Sequence, residues 1–242
     1  MAEYAVTSAF AYLGALDLSD QMTDWSMTGS GDPLDKTTMR NNGGARRFKM
    51  GLITTQATVG GFTDMDTKDA ILMAGFQARS TKAFAAGNVE TEGQPCCVMQ
   101  IVKPQLQQHA GQVGELAKDS VQVQSTDKYG GVRGRLLVKA TSVSTTGAKG
   151  TAVQLGATSS TQHLFAGFFL LGTAGTSITA VLESDNASNF PSATTQVTFG
   201  PLTAAGGTWA TPVAGAINDD WYRLRVTSIT GTWTIACIAA IE

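Results

Sequence analysis

Charge is scarce in this sequence. Lys, Arg, Asp and Glu together make up 15% of its 242 residues, against the ~25% usual for soluble globular domains. So thinly charged an exterior suits a chain largely covered by partners, because an isolated soluble domain favours a charged surface. The formal net charge of −2 gives no whole-chain attraction for nucleic acid. Cysteine is almost missing, with only Cys96, Cys97 and Cys237. Two are adjacent, the number is odd and no C-x-x-C spacing occurs. The three therefore read as reduced, mostly buried thiols rather than a disulfide framework or a zinc site. His109 and His163 have no Cys, Asp or Glu at ligand spacing, so no metal and no other cofactor is expected. Long apolar runs are missing too. Nothing approaches the ~18 residues of a membrane-crossing helix, and no membrane insertion is expected. The opening MAEYAVTSAFAYLG has neither the basic start nor the long apolar core of a secretory leader. The expectation is a chain made, and assembled, in the cytoplasm.

Catalytic signatures are absent as well. There is no G-x-S-x-G elbow, no P-loop and no G-x-G-x-x-G, and the chain reads as a non-enzyme. DMDTKDAIL starts like a calcium loop but places Asp69 where glycine is needed and Gly75 where a bidentate glutamate is needed. Helix capping explains those acids better: Asp66 or Thr67 caps a helix that carries Ile71, Leu72, Met73 and Phe76, with Asp69 in its first turn.

What is present is glycine, 27 residues of it, with much Thr, Ser and Ala, in short segments of strand-like alternation. LITTQATVGGF sets Ile53, Thr55, Ala57 and Val59 on one face and Thr54, Gln56 and Thr58 on the other. DLSDQMTDWSMTG, PCCVMQIVK, DSVQVQSTD and VRGRLLVKATS read as further strands, while QLQQHAGQ and QVGELAKDS read as connections. Beyond them TAVQLG, HLFAGFFLLG, SITAVLESD, TTQVTFGPL, DWYRLRVTSI and TWTIACIAAI alternate with turn signals such as TAGTS, DNASNFPS and TAAGGT. That spacing predicts a sandwich or jelly roll. Charge divides unevenly: residues 1–145 hold 14 bases and 14 acids, the remainder 3 and 5. This places a domain boundary near residue 147, giving domains over 1–146 and 147–242.

One run stands out against the low charge. GDPLDKTTMRNNGGARRFKMGLI, residues 31–53, holds two acids and five bases. A solvated loop is the plain reading. Arg46, Arg47 and Lys49 could meet phosphates, but Asp32 and Asp35 lie close by and no basic face with interleaved aromatics extends elsewhere, so a salt-bridging contact with another protein fits better. A second feature is the set Trp209, Trp221, Tyr222 and Trp233. It admits a lectin-like or adhesive role as an alternative. In WYRLRV, however, alternation puts Trp221, Arg223 and Arg225 on one face and Tyr222, Leu224 and Val226 on the other, so one aromatic is core and the other at most half exposed.

The order LDLSDQMTDWSMTGSGDPLDKTTM, RRFKMGLITTQATVGGF, TDMDTKDAIL resembles the major tail (tail tube) proteins of long-tailed bacteriophages. The matching elements are Asp17 to Ser19, Asp35 with Thr37 and Thr38, Gly51 with Leu52, Gly61 with Phe62, and Asp64 to Asp69. The ending from VLESDNASNF to WTIACIAAIE is similar to theirs. The resemblance implies a mainly β fold: a tail-tube β-sandwich or barrel with one flanking α-helix, followed by a C-terminal β-sandwich on the outer surface. It implies hexameric rings stacked into a hollow tube in the virion tail, with DNA and the tape measure protein in the lumen and other tail proteins at the ends. On that reading Asp32, Asp35, Thr37, Thr38, Arg40, Arg46, Arg47 and Lys49 form an inter-subunit contact loop. A bore that conducts DNA needs wettable, neutral walls, because each Lys or Arg on a phosphate adds affinity. The rows Thr54, Gln56, Thr58 and Ser120, Gln122, Gln124 are then expected to line it, with acids such as Asp119 or Asp127 near its ends.

Overall fold

The computed structural model describes residues 8–36, 46, 48–62, 82–109, 115–126 and 128–242. The chain runs through β1 (Phe10–Leu13), β2 (Leu16–Asp17), a 3-10 turn (Ser19–Gln21), β3 (Met22–Asp35), β4 (Phe48–Phe62), β5 (Lys82–Gly87), β6 (Pro95–His109), β7 (Lys118–Ser125) and β8 (Gly131–Val143). It continues through β9 (Gly147–Gln154), β10 (His163–Leu171), β11 (Ser177–Asp185), β12 (Thr194–Leu202), β13 (Gly206–Trp209), β14 (Val213–Ala214), β15 (Trp221–Thr230) and β16 (Trp233–Ile241). The expected mainly β fold is therefore present. The expected helix over 66–76 lies outside the described residues.

Among the described residues a twelve-stranded sheet and a four-stranded sheet stack as four layers. The reason is the alternation of the strands. In β10, Leu164, Ala166, Phe168 and Leu170 face one way and Phe165, Phe169 and Leu171 the other, and all are buried. A strand apolar on both faces must be covered on both. One side of the β8–β16–β10 layer meets β9, β15, β11 and β12 through Phe168, Leu182, Phe199, Leu224 and Trp233. Its other side meets β1, β5 and the first half of β6 through Phe10, Tyr12, Val98, Phe169 and Ile238. The far face of β1–β5–β6 carries Leu13, Phe84, Met99 and Ile101, which pack under Ala57, Val59, Val121 and Val123 of β4 and β7. Truncating one of the large fully buried rings, such as Phe169, costs about 3–5 kcal/mol.

Three segments depart from the expectations drawn from sequence. DLSDQMTDWSMTG is interrupted, because the Asp17 carboxylate accepts from the Ser19 backbone N–H at 3.0 Å and turns the chain into the 3-10 turn. QLQQH is no connection: β6 runs through it, paired to β7 from Gln105↔Gln122 to His109↔Lys118. The stretch 31–53 is not a loop throughout, since β3 and β4 stay paired to Asp35↔Phe48 across an irregularity between Gly31 and Pro33.

The boundary expected at 146/147 falls in the turn where the chain leaves β8 for β9. Pairing and packing cross it: β16 pairs with β8, and strands from both sides fill the core around Phe10 and Phe169. Tyr12 ties the same region together. Its hydroxyl donates to Glu90 Oε1 at 2.7 Å and accepts from the Ala140 N–H at 3.2 Å. Burial first, and then Glu90, holds this phenol well above its ordinary value. Burial also raises the Cys237 thiol.

Two outcomes follow from this packing. A chain ending at residue 146 lacks β10 and β16, so one face of β1–β5–β6 is uncovered. It is expected to melt without a cooperative transition, whereas an independently folding 1–146 domain would keep one. Second, an unfolded chain releases its Tyr protons above pH ~10 while folded Tyr12 keeps its own, so stability is full below that pH and declines above it, by about 1.4 kcal/mol per pH unit for one such group. Urea titrations of the wild type and Tyr12→Phe between pH 8 and 11 check this, with the shallower alkaline decline expected for the variant.

Candidate functional site

The outermost layer, β3–β4–β7 with the second half of β6, carries a polar face set by register. Directly paired residues of an antiparallel sheet share a face. Ser26 pairs with Thr58, Thr58 with Gln122 and Gln122 with Gln105; Thr28 pairs with Gln56 and Gln56 with Gln124; Ser30 pairs with Thr54. Ser120 lies opposite Gly60. The two rows expected from sequence therefore run side by side in one surface, and β3 and Gln105 widen it. Ser26, Thr28, Ser30, Gln56 and Gln105 are exposed, and Thr54, Thr58, Ser120, Gln122 and Gln124 half-buried. Hydroxyls and amides make up this patch; Asp24 stands at one end of it, opposite Gly60, and Lys103 occupies the position opposite Gln124. Residues of the opposite parity, Ala57, Val59, Val121 and Val123, are buried. Thr55 belongs with them: it is 6% exposed, and its hydroxyl accepts from the Gly131 N–H at 3.1 Å.

Asp119 departs from its expected place among the polar residues. It has the parity of Val121 and Val123, and among the described residues its buried Oδ1 meets no hydrogen-bond partner. Asp127 lies outside the described residues. Arg133 and Arg135 are on β8, where Arg133 lies opposite Cys97 and Arg135 donates to the Gly93 carbonyl at 2.7 Å.

Among the described residues β3 pairs with β4 alone, and β6 beyond Lys103 pairs with β7 alone. The four-stranded face thus ends in two strand edges whose N–H and C=O groups can take another chain.

The expected contact stretch forms the end of the β3–β4 hairpin. Asp32 and Asp35 are on β3, Lys49 is on β4 opposite Leu34, and Arg46 is exposed. Thr37, Thr38, Arg40 and Arg47 lie outside the described residues. What charge-based reasoning missed is apolar: Leu34, Phe48, Leu52 and Ile53 are 55%, 57%, 80% and 63% exposed. The signal was present in the sequence as large hydrophobics inside a glycine- and charge-rich run.

The tryptophans do not share a stacking face. Trp233 is buried in the core, Trp209 sits half-buried on the edge strand β13 beside Phe165, and Trp221 lies across the outer sheet. Tyr222 points inward as its alternation requires, and burial, with Asp219 and Asp220, pushes its phenol up to about 12. Beside Trp221, Arg223 pairs with Glu183 at 2.8 Å and stacks 4.1 Å from the Phe190 ring centre. This engages the cation within the chain. Among the described residues no group of His, Cys, Asp and Glu comes together as a metal site.

No protein-family model and no curated protein matches the sequence. Among solved structures the chain is similar to a component of the virion of a native gene transfer agent particle, at 13% identity and a TM-score of 0.39, over 50% of this chain and 92% of the other. It is also similar to the Dit protein (gp 19.1) of SPP1, from the hub adsorption apparatus of phages infecting Gram-positive bacteria, at 11% and 0.38, over 98% and 100%. A third likeness is to a chain of the phage p2 baseplate in its activated conformation, at 8% and 0.32, over 95% and 97%. Likeness at this level fixes no role.

The division of faces is checked by one pair of variants. Gln122→Lys, on the polar face, is expected to change stability by no more than about 0.5 kcal/mol. Val123→Lys, one residue on, buries an unpaired cation and is expected to prevent folding. Thermal melts of the two proteins read the difference.

Proposed function

We propose that this chain is a structural virion protein whose copies join as hexameric rings stacked into a hollow phage tail tube, with the neutral polar face turned to the bore. The observation that carries the reading is the in-register sheet face of Thr54, Gln56, Thr58, Gln122 and Gln124, sealed on its reverse by Ala57, Val59, Val121 and Val123. Such a wall wets easily and offers a passing polyanion few cations, so DNA slides without being held. The two strand edges that bound the face support lateral growth. An edge on one side that meets a different edge on the next copy is a heterologous contact, and a ring results when its rotation closes. The sequence resemblance to major tail proteins supports the same assembly, with DNA and the tape measure protein as lumen partners and other tail proteins at the tube ends. The four-stranded layer of β9, β15, β11 and β12 then lies on the outside of the tube.

The β3–β4 hairpin end supplies contacts between copies. Its four exposed hydrophobics are costly in water and gain by burial at about 25 cal/mol per Å², while its charges set register more than affinity.

The test is assembly followed by labelling. Purified protein is imaged by negative stain, where hollow tubes are expected and a small stable oligomer that binds glycans would favour the lectin-like alternative. Thr58→Cys is then made on a Cys97→Ser background, since Cys96 and Cys237 are buried. In tubes the new thiol is expected to react with a small maleimide and to resist one carried on a long polymer, while unassembled protein reacts with both. Equal reaction of tubes with both reagents would place the face on the outside. Reversing Arg46 and Arg47 to Glu is expected to stop tube growth and leave the monomer folded.

A further inference from the structure

The turn between β5 and β6, residues 88–94, reaches all four layers of the stack. Asn88 Oδ1 accepts from the Trp25 indole of β3 at 2.9 Å. Val89 bridges to Ser8, and the Glu90 N–H donates to the Ser8 carbonyl at 2.8 Å, just ahead of β1. Glu90 Oε1 takes the Tyr12 hydroxyl, which itself accepts from the Ala140 N–H of β8. The Gly93 N–H donates to the Leu136 carbonyl at 2.7 Å, and Arg135 donates back to the Gly93 carbonyl. Glu92 Oε2 accepts from the Thr151 hydroxyl of β9 at 2.6 Å. The other oxygen of Glu92 lies against Gly150, where a Cβ would come within 2.9 Å of it.

The two ends of this turn therefore hold the two outermost layers, β3 through Asn88 and the four-stranded sheet through Glu92. Ordering each residue between them costs conformational entropy. With contacts at both ends, that cost is incurred once. When either contact is made, the other forms on a turn already ordered, and so forms more readily. Two contacts that share one ordered segment are positively coupled without a change of shape, and the coupling is reciprocal. Tyr12, fully buried, pins the middle of the turn to the core.

We propose that the β5–β6 turn is a coupling strut: whatever steadies β3 at Trp25 also steadies β9 at Thr151, and the reverse. A neighbouring molecule seated against the start of β3 then tightens the four-stranded sheet on the opposite side of the stack. The coupling lies within one chain and does not rest on the tube reading. In a tube it makes the outer surface respond to contacts formed at the inner layer.

Amide hydrogen exchange on the full chain tests it, read by mass spectrometry over residues 22–27 and 147–154. Thr151→Val removes the hydroxyl that meets Glu92. It is expected to speed exchange at 22–27, across the stack from the substitution, by roughly threefold or more. Trp25→Phe removes the indole N–H and is expected to speed exchange at 147–154 by a similar factor. In the double variant the speed-up at each segment is expected to fall short of the product of the two single factors, because a turn freed once has little left to lose. Thr227→Val removes a different outer-sheet hydrogen bond, to the Thr179 carbonyl, and is expected to leave 22–27 unchanged. Speed-ups confined to each variant's own layer, or factors that multiply in the double variant, would overturn the strut. So would the same change at 22–27 from Thr227→Val, which is what a general loss of stability gives.

Discussion

The constraint on which the rest of this structure depends is the burial of strands that are apolar on both faces. β10 and β16 have no polar side to give to water, and β1, β5 and the first half of β6 have almost none. Backbone pairing satisfies their N–H and C=O groups within a sheet, but only further layers can cover their side chains. Four layers follow, with three cores between them. The two inner layers are covered on both sides, and only the outermost can alternate polar with apolar. The neutral face of β3, β4, β7 and β6 exists because its strands end the stack. The outer face of β11 and β15, with Glu183, Arg223 and Arg225, ends it on the other side.

Much of this was legible in the sequence where period alone decides. In LITTQATVGGF and DSVQVQS the side-chain parity separates hydroxyls and amides from Ala57, Val59, Val121 and Val123, and the structure keeps that separation. The same rule set Tyr222 and Trp221 on opposite faces, and the structure buries Tyr222. Sequence could not show that the two polar rows are neighbours. That depends on β4 pairing β7 at Thr58↔Gln122, a non-local choice of register. QLQQH was misread because its glutamines suggest a solvated connection, yet a strand polar on one face needs only a partner edge, and β7 supplies it. β1 and β5, FAYL and KAFAAG, escaped notice because short apolar runs rich in alanine carry no clear period.

The stretch 31–53 shows how composition misleads about conformation. Glycine, asparagine and scattered charge suggested a loop throughout, but the β3–β4 ladder reaches to its two arms. Pairing to Asp35↔Phe48 keeps Leu34 and Phe48 in extended backbone rather than in a loop. Exposed Leu34, Phe48, Leu52 and Ile53 are then displayed rather than collapsed onto the chain's own core. This display, together with a thinly charged surface and strand edges at both sides of the polar face, gives the molecule the character of a building block. Each feature is a liability in an isolated soluble protein and an asset in an ordered polymer.

The central claim is that the Thr54–Gln124 face lines a hollow assembly. Helical reconstruction of the assembled protein by electron microscopy, at a resolution that shows side chains, tests it most directly. The account predicts a tube whose inner wall is built from β3, β4, β7 and β6 of successive copies, with Gln56, Thr58, Gln122 and Gln124 pointing into the bore. A tube with that face turned outward, or a wall dominated by Arg133 and Arg135, would contradict it.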